Sequence, residues 1–256
     1  MLKIFKMDLY RMIKNKSTWI IMAINMVFLL LPIIIEGVVL KNSNQSIVGV
    51  KDFSSYLTSF IAGGTSMMLI AIFVVLFYGS IYKTGFIKNV ANLAKSKHEF
   101  VLSIVFISII YTLIMFIATF IVAFLAMFVV FGKANIGSPL ELIKYMACQF
   151  VAYSAMMSFA ILICTLVRKS GAAMAICILY FSGFGINLWY LISTAIMYLF
   201  KTEFNICNYL VSHNIMRYSM KTVVSEEWWK MPVISFCYFV VFVVISSIVM
   251  NKREID

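Results

Sequence analysis

Charge is what this chain has least of: 12% of its 256 residues are Asp, Glu, Lys or Arg, against about a quarter in ordinary soluble domains. With 63% hydrophobic residues and a mean hydropathy of +1.01, the composition excludes a soluble globule. Three prolines and eleven glycines leave few helix breakers in the apolar runs and exclude a low-complexity chain. Five cysteines, at 148, 164, 177, 207 and 237, form no CxxC pair and read as apolar filler, not as disulfides or metal ligands.

Catalytic patterns are missing as well. The two histidines, His98 and His213, fall on opposite sides of the membrane predicted below, and HExxH and GxSxG are both absent. No pair of aspartates sits within the apolar runs, so intramembrane proteolysis has no visible nucleophile, base or metal ligand. The one Gly-Lys pair, Gly132-Lys133, is followed by Ala134 and has Met127 where a phosphate-cradling loop needs its first glycine. The sequence therefore predicts no ATP hydrolysis, no metal and no cofactor in this chain.

What is present is a set of long charge-free intervals. A charge at bilayer depth costs about 2.5–3.5 kcal/mol, so spans show as gaps between charges. Six gaps are long enough: Lys16 to Glu36, Asp52 to Lys83, Glu99 to Lys133, Lys144 to Arg168, Lys169 to Lys201, and Lys230 to Lys252. Runs such as Ile104 to Val130 are apolar on every side, which favours helices over alternating barrel strands. The predicted fold is an all-α membrane protein forming one transmembrane domain over 1–256, with spans at about 17–40, 56–82, 100–131, 142–167, 171–199 and 232–251. The first apolar run lacks a small-residue cleavage pattern and reads as an uncleaved span.

Basic residues set the expected orientation. With the N-terminus inside, 13 of the 21 Lys and Arg residues fall on the cytoplasmic side and eight outside, most of these in one long segment. The positive-inside rule then places both termini in the cytoplasm and the chain in the plasma membrane. The net charge of +11 reads as topology and attraction to anionic headgroups, with no domain to hold nucleic acid.

Between the spans, three segments carry pattern. Residues 1–16 place Leu2, Phe5, Leu9, Met12 and Ile13 at helical spacing among five basic residues, which predicts an interfacial helix with Ile4 and Met7 off the stripe. In the loop 83–98, Phe86, Ile87, Val90, Leu93 and Ala94 gather on one side of a helical wheel, opposite Lys88, Asn89, Asn92 and Lys95. That pattern alone fits equally a docking helix and a membrane-surface helix joining two spans. The segment 200–231 holds Phe204, Cys207, Leu210 and Val211 at roughly helical spacing, and Ser225-Glu226-Glu227 before Trp228-Trp229 resembles a helix start with an aromatic belt. Short outer helices, partly re-entrant, are expected there.

Gly63-Gly64 and Gly183-Phe184-Gly185 allow bending or close approach, and plain packing is the expected role. Polar residues inside the spans are Asn25, Gln149 and Asn187, which should face the bundle as interhelix hydrogen bonds or as pathway lining. Glu36 shares a helix face with Asn25 and is expected to snorkel to the outer interface.

The loop reads Tyr82-Lys83-Thr84-Gly85-Phe86-Ile87-Lys88-Asn89, then Lys95-Ser96-Lys97. It resembles the permease subunits of type-2 ATP-binding-cassette exporters, in the branch linked to peptide-antibiotic immunity and peptide-toxin export. That branch commonly has an acidic residue where Ile81 stands, threonine at Phe86 and arginine at Lys97. The resemblance implies that Gly85, Phe86, Ile87, Lys88, Asn89, Val90 and Leu93 form a cytoplasmic coupling helix docking on a separate ABC ATPase. It also implies a second permease copy or homologue in a 2+2 assembly, ATP and Mg held by the ATPase, and outward movement of an amphipathic or hydrophobic peptide through the membrane lipid. A channel or pore-forming protein, and a membrane scaffold, are the alternatives that need no ATPase.

Overall fold

The computed structural model describes residues 2–43, 52–83, 98–132, 136–167, 169–201, 205–218 and 228–252. Helices dominate them and no strand occurs among them. In chain order these are α1 (Leu2–Lys14), α2 (Lys16–Ser43), α3 (Phe53–Ala62), α4 (Thr65–Lys83), α5 (His98–Phe131), α6 (Pro139–Val167), α7 (Ser170–Leu179) and α8 (Gly185–Phe200). Then follow a 3-10 turn (Ile206–Tyr209), α9 (Val211–Arg217) and α10 (Lys230–Asn251). Five helical segments are long and apolar enough to cross a membrane, and six if the bent pair α3 and α4 is one span. The chain is thus an all-helical, multi-pass membrane protein. The expected coupling loop and the helix start at Ser225 lie outside the described residues.

The charge-free intervals form helices, because backbone groups in hydrocarbon must be satisfied within the segment, and α2, α5 and α6 extend past Glu36, Glu99 and Lys144 at their ends. In α2 the buried positions are Thr18, Ile21, Asn25, Leu29, Ile33 and Glu36, one stripe at steps of three or four, while Ile24, Phe28, Leu31 and Ile35 are exposed on the other side. Its neighbours on the buried stripe are α4 and α5. At the centre stands α6, with 72% of its most apolar window buried, against 28% or less in the other single-helix candidates. Its buried face is rich in small residues, Ala152, Ala155, Ser158 and Ala160, which let α4, α5, α7 and α10 approach closely.

Two helices break where packing alone was expected. The second predicted span is two helices bent by 47°, with Gly64 at φ 79° between them. The fifth passes through a π-helical turn at Tyr180–Phe184 containing Gly183 at φ 95°. Both positive φ values lie where side chains are disfavoured, so glycine permits each bend. A Cβ on Gly64 would lie 3.9 Å from the Phe181 carbonyl, so the two breaks face each other.

The N-terminal helix is present, but its buried stripe is Ile4, Asp8 and Met12; Ile13 and Tyr10 are exposed. Its stripe is rotated because it packs along the start of α5, where Ile4 meets Phe100 and Phe5 makes an edge contact with Phe106 at 6.2 Å. Cys148, Cys164, Cys177 and Cys207 are buried free thiols, and Cys237 is an exposed one.

Candidate functional site

The polar residues gather in three layers along the bundle. The first lies at the end that carries α1. Asp8 is fully buried there: Ser103 Oγ of α5 donates to Asp8 Oδ2 at 2.6 Å, and Arg11 Nη1 donates to Oδ1 at 2.9 Å. Arg11 Nη2 donates in turn to Ser80 Oγ of α4 at 3.0 Å, and the guanidinium lies 5.3 Å from the centre of the Phe77 ring. Through these contacts α1 ties together the last turn of α4 and the first turns of α5. Those two helix ends flank the amphipathic loop, which itself lies outside the described residues with Gly85, Phe86, Ile87, Lys88, Asn89, Val90 and Leu93.

Burial pushes the Asp8 carboxyl above its usual range, with the Ser103 hydrogen bond and the Arg11 charge acting in the opposite direction. A raised folded value means stability that is fully present below the unfolded pKa and is lost as pH rises through the folded one. Arg11 limits that loss by favouring the carboxylate. Arg11→Ala should therefore cost about 1–3 kcal/mol at high pH, where Asp8 is a carboxylate, and less at a pH low enough to protonate Asp8. Thermal unfolding in detergent at both pH values checks this, and an equal cost at both would show that the ion pair does not hold the cluster.

The second layer is intramembrane. Asn25 is fully buried: its Nδ2 donates to Thr119 Oγ1 of α5 at 3.2 Å, and its Oδ1 accepts from Ser66 Oγ of α4 at 2.8 Å. One amide thus joins three helices. Glu36 is also fully buried on this stripe, which corrects the expectation that it snorkels outward. The next residue explains it: Gly37 faces Val130 of α5 so closely that a Cβ would fall 2.3 Å from a Val130 methyl. This close approach of α2 to the Val130 side chain sets Glu36 against the bundle.

The third layer fixes the broken span. Tyr153 Oη donates to the Ile61 carbonyl at 2.6 Å and Tyr145 Oη to the Thr58 carbonyl at 3.0 Å, both from α6 into the end of α3. Carbonyls in the last turn of a helix have no intrahelical donor, and at a break inside the membrane water cannot supply one. For Ile61 the Tyr153 hydroxyl does so, alongside a longer bond from the Gly64 N–H at 3.4 Å. Gln149, one turn from each tyrosine, donates from Nε2 to Tyr145 Oη at 3.2 Å and to the Ile215 carbonyl of α9 at 3.1 Å. On the other side of α3, Tyr56 Oη donates to the Leu29 carbonyl of α2. Asn187 is outside this network: it is exposed on α8 and does not face the bundle. In α8 the inward polar residue is Ser193, whose Oγ donates to Asn205 Oδ1 at 3.0 Å.

Sequence patterns brought Asn25, Glu36 and Gln149 forward but missed Asp8, Arg11, Ser103, Tyr145 and Tyr153. An aspartate at i−3 from an arginine in a basic helix, and tyrosines four residues either side of Gln149, were the available signals. Among the described residues no group of three or more His, Cys, Asp or Glu side chains could hold a metal ion. No protein-family model and no curated protein sequence matches the chain.

Proposed function

We propose that this chain is the transmembrane subunit of an ATP-driven exporter of the type-2 ATP-binding-cassette kind, moving amphipathic or hydrophobic peptides outward. ATP is hydrolysed on a separate cytoplasmic subunit, and two permease chains form the pathway. The observation that carries this reading is the first polar layer. The amphipathic loop with its Gly-Phe-Ile-Lys-Asn core leaves α4 three residues after Ser80 and enters α5 five residues before Ser103, and α1 bonds to both through Arg11 and Asp8. A push on such a loop would reach α4 and α5 together, because both helix ends are bonded to α1. The paired breaks at Gly64 and Gly183 support the same reading, since interrupted helices meeting inside the membrane are a recurrent feature of transporters.

Cargo chemistry follows from the surroundings. Among the described spanning segments, few ionisable side chains are buried, whereas proton- or ion-coupled pathways need them. Purified with its ATPase and reconstituted in vesicles, the complex should hydrolyse ATP faster with cationic amphipathic peptides and no faster with sugars or simple ions. Stimulation by sugars or ions alone would remove the peptide assignment. Failure to capture any ATPase carrying a nucleotide-binding motif would remove the exporter reading itself.

A further inference from the structure

At the end of the bundle opposite α1, the 3-10 turn, α9 and the start of α10 enclose an open cleft of about 630 Å³. Arg217, Lys230, Asn208, Asn214, Tyr218 and Trp229 are among its lining residues, and no acidic side chain is among the lining residues described. The cleft is held in shape by its own bonds. Arg217 Nη1 donates to Asn208 Oδ1 at 2.8 Å, Asn214 Nδ2 donates to the Asn208 carbonyl at 2.9 Å, and Tyr218 Oη donates to the Trp228 carbonyl at 2.7 Å. Only one of the five guanidinium N–H donors of Arg217 is used in that bond. A third cation stands nearby, with Lys144 Nζ 5.9 Å from the centre of the Trp228 ring.

One wall of the cleft continues as bare hydrocarbon. Val233 lines it, and Phe236, Val240 and Val244 follow at helical spacing down the exposed side of α10. Two cations and amide groups at an aromatic membrane boundary, above an apolar strip that runs into the bilayer, suit a ligand with an anionic head and a long apolar tail. We propose that this cleft binds an anionic phospholipid, its phosphate against Arg217 and Lys230 and an acyl chain along Val233, Phe236, Val240 and Val244. The proposal rests only on the chain's membrane location, not on the exporter reading.

The test uses the full-length chain with Trp229 as its only tryptophan, through Trp19→Phe, Trp189→Phe and Trp228→Phe, in phosphatidylcholine vesicles. Brominated phosphatidylglycerol should quench Trp229 with an apparent affinity at least about fivefold above that of brominated phosphatidylcholine, the effect of roughly one cation acting at the headgroup. Arg217→Gln with Lys230→Gln should bring the two lipids level, whereas Arg217→Lys with Lys230→Arg should keep most of the preference. Equal quenching in the starting protein, or a preference that survives the neutral variant, overturns the proposal. Erasure of the preference by tens of millimolar inorganic phosphate would assign the cleft to a free anion and overturn the lipid assignment.

Discussion

Phe86→Asp together with Ile87→Asp should abolish capture of the partner ATPase and all peptide-stimulated ATP turnover, while membrane insertion and the helix content of the chain stay unchanged. On the wheel these residues lead the apolar face of the loop, and the proposed docking groove would bury them. Burying a Phe or Ile side chain is worth about 1.5–3 kcal/mol, so losing both forfeits about 3–6 kcal/mol, or two to four orders of magnitude in affinity. Two carboxylates pressed into an apolar groove add a desolvation cost on top. Asn92→Asp, on the polar face, adds the same kind of charge and should leave capture within a fewfold of the starting protein. Co-purification and turnover that survive the double substitution would sink the docking assignment; equal loss in Asn92→Asp would point to charge and not to the apolar face.

Gly79→Leu should lower the thermal stability of the bundle more than any other glycine substitution open to solvent or lipid on the same helices. A Cβ at Gly79 would lie 2.7 Å from the Ser170 Cβ, well inside contact distance, at the place where α4 packs against α7. Overpacking of this kind costs about 1–3 kcal/mol, and a leucine has further atoms to place beyond the Cβ. The contrast is Gly171→Leu, one residue from Ser170. A Cβ there meets nothing within 4 Å. Leucine is also a better helix former than glycine, by up to about 0.8 kcal/mol in a helix interior and less in the first turn, so Gly171→Leu should be neutral or mildly stabilising. Unfolding curves in the same detergent decide it: if both variants melt together, the close contact between α4 and α7 carries no weight.

Local physics made the helices legible. Because a charge in hydrocarbon is expensive wherever it sits, gaps between charges located α2, α5, α6, α10 and the α7–α8 span from sequence alone, to within a few residues of their ends. Asn25 and Glu36 could be placed on one face of α2 because helical spacing is fixed by geometry, and both are buried on that stripe. Short helices in the segment before α10 were also legible, from spaced apolar residues around Cys207 and Val211.

Which neighbour each face meets is not a local property, and there only the tertiary structure decided. Hydropathy ranks α5 first, at 3.0, yet α6 at 2.2 is the central helix. Inside a bilayer lipid is as apolar as leucine, so small and polar residues, not the most hydrophobic ones, bring helices together. The same reason explains why Tyr145, Gln149 and Tyr153 matter: their donors have value only beside the carbonyls that other helices bring to them, Thr58 and Ile61 of α3 and Ile215 of α9. Asp8 is buried because Ser103 and Arg11 meet it, and a hydrophobic wheel assigns an aspartate to water. Asn187 carries the same amide as Asn25 but stays exposed on α8, whereas Asn25 meets Ser66 and Thr119 on neighbouring helices. Span positions followed from what each residue costs in hydrocarbon; burial and bonding followed from which helices came together.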